Sequence, residues 1–399
     1  MISKKVLDGL GRSSAIRAMF EEGERLRRQF GPDKVYDFSI GNPEIEPPAA
    51  VDEALVRLAR EPNPGKHRYM SNAGYDDVRR RIAARVSREQ GVPLEAGHIV
   101  MTCGAAGGLN VVLKTLLDPG DEVLVIAPFF MEYLNYIDNS AGRPVIVPSV
   151  PDVFEPDLAA LEKAVTPRTK ALILNTPNNP TGAVYSRASL EGIAEVLGRA
   201  EKRTGRPVYV VSDEPYAKIV YDGVTVPGVL GIFPNAIVVN SYSKSLALPG
   251  ERIGYIAASS AAAGIETLMD GLVMCNRTLG FVNAPALFQK VVAETLDATV
   301  DLEWYRERRD TLYNHLVGAG FSCLKPQGAF YLFPKSPVGD DAAFVRSAAG
   351  HNLLLVPGRS FSCPGYFRIA YCMSLETIRN SLPAFTALAA QYGLQPQAR

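Results

Sequence analysis

The chain has 399 residues, of which 47% are hydrophobic and 21% are charged, and its 42 basic residues balance 42 acidic ones. The length indicates two or three domains, and the apolar content excludes a chain that is disordered over most of its length. The balanced charge argues against nucleic-acid binding through bulk positive charge and against attraction to a membrane surface.

The cysteines and the N-terminal residues indicate a compartment. Five cysteines, an odd number with no Cys-x-x-Cys pair, predict free thiols in a reducing environment. The N-terminal residues show no apolar segment typical of a signal peptide, and no run approaches the ~18 apolar residues of a membrane-spanning helix. We therefore expect a cytoplasmic protein that binds no nucleic acid, no membrane and no metal.

The N-terminal third contains few strands. The pattern predicts an amphipathic helix over 14–30, a short strand over 36–40 that stops at Gly41, and helices over 49–58 and 74–90. From about residue 98 the pattern alternates between short apolar strands and helices such as 109–117 and 187–202. The strands are predicted at 99–103, 122–127, 170–175, 208–213, 236–240 and 254–258. This alternation indicates crossover connections and a mostly parallel sheet buried on both faces.

The last part of the chain has a different pattern. A long helical stretch over 281–317 precedes short strands at 329–333, 353–356 and 366–370, and a helix begins at Leu375. This mixture predicts a second, smaller α+β domain.

Small or polar segments follow four of the predicted strands, at the edge where open α/β sheets bind ligands. They are Gly104-Ala105-Ala106-Gly107-Gly108, Asn178-Asn179-Pro180-Thr181-Gly182, Asp213-Glu214-Pro215-Tyr216 and Ser241-Tyr242-Ser243-Lys244. Taken singly, they also fit a packed helix start, a rigid turn, a helix cap and a surface lysine. The glycine fingerprints of dinucleotide and nucleoside-triphosphate sites are absent, which disfavours a nicotinamide dehydrogenase.

Taken together, the four segments supply what a pyridoxal phosphate site needs. Lys244 provides an amine for a Schiff base, and Asp213 provides a carboxylate for the ring nitrogen. The small residues at 104–106 open a helix whose free amides favour a phosphate. Arg252, eight residues after the lysine, provides a bidentate donor. The sequence therefore predicts pyridoxal phosphate as the cofactor.

The same segments, in this order and spacing, resemble the class I/II aminotransferases of the aspartate aminotransferase family over about residues 40–371. The resemblance implies fold type I, an α/β architecture with a mostly parallel seven-stranded sheet between helices. It implies a large domain at 46–300 and a small α+β domain formed by 1–45 and 301–399. It also implies amino transfer between an L-amino acid and a 2-oxo acid by a ping-pong route, in a homodimer with composite active sites.

The family's cofactor residues map onto this sequence one by one. The resemblance implies that Lys244 forms the Schiff base and moves a proton, and that Asp213 pairs with the ring nitrogen. Tyr216 and Asn179 are expected to hydrogen-bond the ring oxygen. Phosphate contacts are expected from Gly104, Ala105, Ala106, Ser241 and Arg252 and from Tyr69 of a neighbouring subunit, with Phe130 stacked on the ring.

The substrate residues map less completely. Arg368 matches the arginine that binds the substrate α-carboxylate, Asn179 also faces the substrate, and Gly41 matches the segment that closes over it. Ala106 stands where some members have a lysine that reads a distal carboxylate. Arg277 lies near the segment from which others take a partner-subunit arginine, so it is either a side-chain reader or an exposed structural arginine. The donor stays open among aspartate, aromatic and neutral amino acids.

Two other functions share parts of this pattern. A C–S β-lyase or a cyclising synthase of the same fold uses the same ring chemistry and differs only in the product. A non-catalytic cofactor-binding domain of a transcription regulator is disfavoured, because the segment before Gly41 is too short for a DNA-binding module.

Overall fold

The computed structural model describes residues 2–7, 23–29 and 31–396. The chain forms two compact units. The larger consists of Pro43–Arg306 and Lys325–Phe330, and the smaller of Met1–Asn42, Glu307–Leu324 and Tyr331–Arg399 within their described residues. The helix predicted over 14–30 lies largely outside the described residues, and 23–29 are helical.

The strands and helices are numbered in chain order. The strands are β1 (Tyr36–Asp37), β2 (Ile99–Thr102), β3 (Glu122–Ala127), β4 (Arg143–Pro148), β5 (Thr169–Asn175), β6 (Tyr209–Asp213), β7 (Ala236–Ser241), β8 (Gly254–Ala258), β9 (Tyr331–Leu332), β10 (Leu353–Leu354), β11 (Val356–Pro357) and β12 (Phe367–Ala370). The helices are α1 (Ala49–Arg60), α2 (Asp76–Gln90), α3 (Gly104–Leu116), α4 (Glu132–Asn139), α5 (Leu158–Ala164), α6 (Arg187–Thr204), α7 (Tyr242–Ser245), α8 (Ile265–Thr278), α9 (Ala286–Glu294), α10 (Leu302–Gly318), α11 (Asp341–Ala349) and α12 (Leu375–Gln391). Residues 4–7 are also helical.

In the described part of the larger unit, a seven-stranded sheet has the order β2-β8-β7-β6-β5-β3-β4. Strand β8 runs antiparallel to both of its neighbours, and the other adjacent strands are parallel. The predicted α/β class with a mostly parallel sheet is therefore confirmed. Parallel strands need crossover connections. Helices provide those between β3 and β6, and a segment of turns over 214–235 connects β6 to β7.

Both faces of this sheet are buried, which explains the nearly continuous apolar strands. On β7, Ile237 and Val239 pack into one hydrophobic cluster, whereas Val238 between them packs into another. The first cluster includes residues of α3 and α8, and the second includes residues of α2 and α6. The alternation of side chains along the strand places these neighbours on opposite faces.

Two predicted elements differ from the structure. The glycine-rich segment predicted as a loop before 109 is the first turn of α3, because Gly104 adopts a positive φ of 72° at the helix start. The stretch 281–317 holds two helices, α9 and α10, separated by a turn in which the Ala298 amide donates to the Thr295 carbonyl at 3.0 Å.

Strand β4 does not follow from the sequence pattern. It lies at the edge of the sheet, most of its residues are exposed, and it contains Pro144 and Pro148. Because proline lacks an amide hydrogen and exposed strands lack a continuous apolar run, such edge strands give a weak signal.

The smaller unit has two small sheets in its described residues. Strand β1 pairs in parallel with β10, and β11, β12 and β9 form an antiparallel sheet in that order. The α+β character predicted for the C-terminal part is confirmed. Across the described residues, no helix combines the length and the apolar character needed to cross a membrane.

Gly254 on β8 provides a test of the close packing between strand and helix. A Cβ atom there would lie 2.4 Å from the Asn240 carbonyl oxygen and 3.0 Å from the Gly104 carbonyl carbon. Since both contacts are backbone atoms, we expect Gly254→Ala to lower the free energy of unfolding by about 1–3 kcal/mol or more. Urea denaturation measures this change.

Gly198 within α6 is the matched control, because a Cβ there meets nothing within 4 Å. Gly198→Ala should raise the free energy of unfolding by about 0.5–1 kcal/mol. Equal effects of the two substitutions would contradict the packing described for Gly254.

Candidate active site

Asp213 ends β6 at the carboxyl edge of the sheet and is only 5% exposed. The Tyr133 hydroxyl donates a hydrogen bond to its Oδ2 at 2.6 Å. Burial raises the pKa of Asp213 to about 7, and the bond from Tyr133 opposes this shift. Among the described residues, no hydrogen-bond partner is present for the buried Oδ1. A buried carboxylate oxygen of this kind calls for a donor such as a ring N–H.

Asn175 connects two of the predicted site segments. Its Nδ2 donates to the Asp213 carbonyl at 2.9 Å, and its Oδ1 accepts the Asn179 amide at 2.7 Å. Asn178 also holds its own segment, since its Oδ1 accepts the Thr181 amide at 3.1 Å. These bonds fix the predicted residue Asn179 beside the end of β6.

Lys244 lies in the short helix α7, directly after β7, and is half-buried. Its Nζ lies 5.3 Å from the centre of the Phe330 ring. Tyr216 packs edge-on against the same ring at 5.4 Å between centroids, and Tyr305 stacks on it at 5.5 Å. The predicted residues Lys244 and Tyr216 therefore both lie next to the ring of Phe330.

The start of α3 forms a cradle with Arg252. A Cβ on Gly104 would lie 2.8 Å from Arg252 Nη2, so a larger residue would displace the guanidinium from this position. Arg252 itself has a positive φ of 51° and donates from Nη1 to the Pro249 carbonyl at 2.9 Å. The Cys103 side chain does not cap α3, so the first amides, which include those of Ala105 and Ala106, can serve an anion.

Two further predicted cofactor residues adjoin this region. Ser241 is the last residue of β7 and is 3% exposed. Phe130 is half-buried and packs edge-on against Tyr133, with 5.7 Å between ring centroids. Phe130 therefore contacts the tyrosine whose hydroxyl is hydrogen-bonded to Asp213.

In the smaller unit, Arg368 and Gly41 both lie next to the ring of Tyr331. The Arg368 guanidinium lies 4.7 Å from the Tyr331 ring centre and 4.8 Å from that of Phe361, and Nη2 donates to the Ser39 carbonyl at 2.6 Å. A Cβ on Gly41 would lie 2.2 Å from the Tyr331 hydroxyl. Arg368 is 8% exposed, so its orientation is fixed by packing.

Two predicted residues lie on the surface instead. Tyr69 is 89% exposed, and Arg277 is exposed near the end of α8. In this chain neither is part of the groupings around Asp213 and Arg368 described above. Their expected roles both involve a second subunit and stay predictions.

Sequence reasoning did not identify several residues that hold the site. None of the residues Tyr133, Asn175, Phe330 and Phe361 is among the site residues predicted from the sequence. Tyr133 and Asp213 are 80 positions apart, and no local spacing signals a contact over such a distance. Asn175 has a usable signal, because it is a polar residue at the end of an apolar strand.

The chain was compared with known proteins. The family model for class I and II aminotransferases matches residues 33–385. The aspartate/prephenate aminotransferase of Thermus thermophilus is 33% identical over 386 residues, covering 93% of this chain and 95% of that protein. A probable N-acetyl-LL-diaminopimelate aminotransferase of Bacillus subtilis is 32% identical over 362 residues, covering 88% of each. A solved aminotransferase structure from Eubacterium rectale has a TM-score of 0.95 at 39% identity, covering 98% of this chain and 99% of that one.

The fold and these matches define a pyridoxal-phosphate-dependent enzyme of fold type I. The chain belongs to the class I and II aminotransferases. It is an aminotransferase that moves an amino group between an amino acid and a 2-oxo acid, as the sequence predicted. The cofactor fits the residues present. The buried Asp213 Oδ1 has no hydrogen-bond partner among the described residues, and a Cβ on Gly104 would occupy the space beside the Arg252 guanidinium.

The bond between Tyr133 and Asp213 provides a test of this fit. Tyr133→Phe removes a donor that lowers the pKa of Asp213, so that pKa should rise further. A hydrogen bond to a charged group contributes about 1.5–3 kcal/mol, so the affinity for pyridoxal phosphate should fall about ten- to a hundredfold. Titration of the cofactor-free protein, followed by absorbance, measures it. Tyr209→Phe, on the same strand as Asp213, should leave the affinity unchanged, and a similar loss there would argue against a specific role for Tyr133.

The aromatic environment of Arg368 suits a carboxylate ligand. Arg368→Lys keeps the charge and loses the planar fork, so the KM of both the amino acid and the oxo acid should rise about ten- to a hundredfold. Steady-state kinetics with varied donor and acceptor measures this change. Arg346→Lys, at an exposed position of α11, is the control, and an unchanged KM in the Arg368 variant would contradict the assignment.

Proposed function

We propose that this aminotransferase takes an L-amino acid of the aspartate type as donor and a 2-oxo acid as acceptor, with Lys244, Asp213 and Arg368 in the central roles. The observation that carries the site assignment is the buried Asp213 carboxylate, whose Oδ1 has no hydrogen-bond partner among the described residues. The donor assignment is supported by the names of relatives, among them the aspartate/prephenate aminotransferase of Thermus thermophilus.

Each residue has a chemical task in this proposal. Pyridoxal phosphate, when bound, withdraws electrons from the substrate Cα and carries the amino group between the two half-reactions. Asp213 holds the ring nitrogen through its buried carboxylate. Lys244 removes the proton from the substrate Cα and delivers it as a general acid. Tyr216 and Asn179 donate to the ring oxygen, and Arg368 binds the substrate α-carboxylate through a bidentate pair.

The phosphate is assigned to the cradle at the start of α3. Gly104, Ala105 and Ala106 supply backbone amides, and the helix dipole favours a negative charge there. Arg252 and Ser241 supply side-chain donors. The short distance from a Gly104 Cβ to Arg252 supports this grouping.

We also propose a homodimer that works in the cytoplasm. Tyr69 supports the dimer, because an aromatic side chain that is 89% exposed is unusual on a monomer and matches the family position that reaches a neighbouring phosphate. All five cysteines are free thiols, which supports a reducing compartment. Arg277 is either a reader of the donor side chain or an exposed structural arginine, and both alternatives stay open.

An absorbance titration with single amino acids and no acceptor tests the function. Aspartate, glutamate, alanine, methionine and tyrosine are added in turn to the cofactor-loaded enzyme. Aspartate or glutamate should convert the cofactor to a stable amino form, since half of the ping-pong reaction needs only the donor. Release of ammonia and pyruvate from a cysteine conjugate would favour the C–S lyase, and conversion by tyrosine alone would overturn the donor assignment.

The lysine assignment has its own test. Lys244→Ala should remove the absorbance of lysine-bound cofactor and lower kcat by about 10²–10⁴-fold, the usual contribution of a positioned general acid–base. Lys202→Ala, at an exposed position of α6, should behave as wild type. An unaltered cofactor spectrum in the Lys244 variant would contradict the proposal.

A further inference from the structure

A small buried cavity of about 20 Å³ in the larger unit is lined by chain neighbours of the proposed site residues. Its lining includes Glu214, which follows Asp213, and Asn240, which precedes Ser241. Tyr242 and Ser245, on either side of Lys244 in α7, also line it. The cavity therefore adjoins both backbone segments that carry the catalytic groups, and the mechanism above does not use it.

Tyr242 has a polar atom that needs a partner. The side chain is 5% exposed and its hydroxyl is buried, with no hydrogen-bond partner among the residues that the structure describes. Its ring packs against Tyr255 at 6.0 Å between centroids, and the Tyr255 hydroxyl is hydrogen-bonded to Asn240. A buried hydroxyl without a partner is destabilising, so a further group is required at Tyr242.

Glu214 presents a second polar group to the cavity. It is 3% exposed, and its oxygens accept bonds from Ser212 Oγ at 2.8 Å and from Gln90 Nε2 at 3.0 Å. Burial raises the pKa of Glu214 to about 8, although these two bonds lower it. Near neutral pH the carboxyl group therefore keeps its proton, and its O–H can donate to Ser212 Oγ or to a molecule in the cavity.

Several charged groups lie around Glu214. From α2, Glu89 adds a negative charge that raises the pKa of Glu214, and it pairs with Arg85 at 2.6 Å. Asp213 raises the pKa of Glu214 in the same way. Lys218 donates from Nζ to the Leu296 carbonyl at 2.8 Å.

We propose that this cavity binds one ordered water molecule, which accepts from Glu214 and hydrogen-bonds to Tyr242, and that the bridge positions the α7 turn that carries Lys244. A water needs a polar site of at least about 10–15 Å³ with two to four partners, and the volume of about 20 Å³ suits one molecule. Asn240 and Ser245 offer further polar partners in the lining.

The positioning half of this proposal rests on the role proposed for Lys244. The water itself does not, because the Tyr242 hydroxyl lacks a partner among the described residues whatever Lys244 does. The experiments therefore separate the two. The crystal structure and the pH dependence of stability report on the water and on Glu214, whereas kinetics and cofactor absorbance report on Lys244.

A high-resolution crystal structure of the cofactor-loaded enzyme tests the water directly. Density should show one water at about 2.7–3.2 Å from both the Tyr242 hydroxyl and a Glu214 oxygen. A cavity without density, or a direct bond between the two side chains, would overturn the proposal.

Tyr242→Phe tests the positioning role. The ring stays and the hydroxyl is lost, so the water should lose a partner and α7 should shift. We expect kcat to fall about two- to tenfold with little change in KM, as for the loss of one hydrogen bond. The midpoint of the pH titration of the cofactor absorbance should shift as well. Tyr209→Phe is the control, and an unchanged midpoint with unchanged kcat in the Tyr242 variant would show a packing role only.

Glu214→Gln tests the protonation state. Folded Glu214 keeps its proton up to a pKa of about 8, whereas an unfolded glutamate loses it near 4.5. The stability contributed by this group is therefore complete below about pH 4.5 and is lost as pH rises towards 8. The Tm of the Gln variant minus that of wild type should grow over this range. Parallel Tm curves would overturn the assignment of a protonated Glu214.

Discussion

The structure of the site depends on one buried carboxylate at the end of a parallel strand. Placing Asp213 at 5% exposure disfavours its charged form, and the protein compensates with the hydroxyl of Tyr133 on one oxygen. The other oxygen has no hydrogen-bond partner among the described residues, and we propose that it pairs with the cofactor ring. Because the carboxyl ends of β5, β6 and β7 lie along one edge, the same constraint gathers Asn179 and Lys244 around it.

Glycines allow the backbone segments around this carboxylate to approach each other. Gly254 on β8 lies against the Asn240 carbonyl and the start of α3, and Gly104 lies against the Arg252 guanidinium. Any side chain would separate these segments. The segment proposed to bind the phosphate is therefore shaped by strand-to-helix packing, and the donors that it offers are mainly backbone amides.

The side chains of the adjacent residues Asp213 and Glu214 point to opposite faces of the sheet. Tyr133, the partner of Asp213, belongs to the hydrophobic cluster packed on α3, whereas Tyr242 belongs to the cluster on the other face. Successive residues at a strand end point in opposite directions, so one carboxyl faces the cofactor region and the other faces the small polar cavity. Keeping Glu214 protonated avoids a second negative charge beside Asp213.

The sequence by itself determined the fold class, the order of the motifs and the identity of Lys244, Asp213 and Arg368 as candidates, because strand-end residues and apolar alternation are local signals. Only the tertiary structure decided which other side chains contact these three residues. Tyr133 lies 80 positions from Asp213, Phe330 meets Lys244 from another segment, and Arg368 lies between the rings of Tyr331 and Phe361. Such contacts join residues distant in the chain, and their geometry follows from packing, which no local pattern encodes.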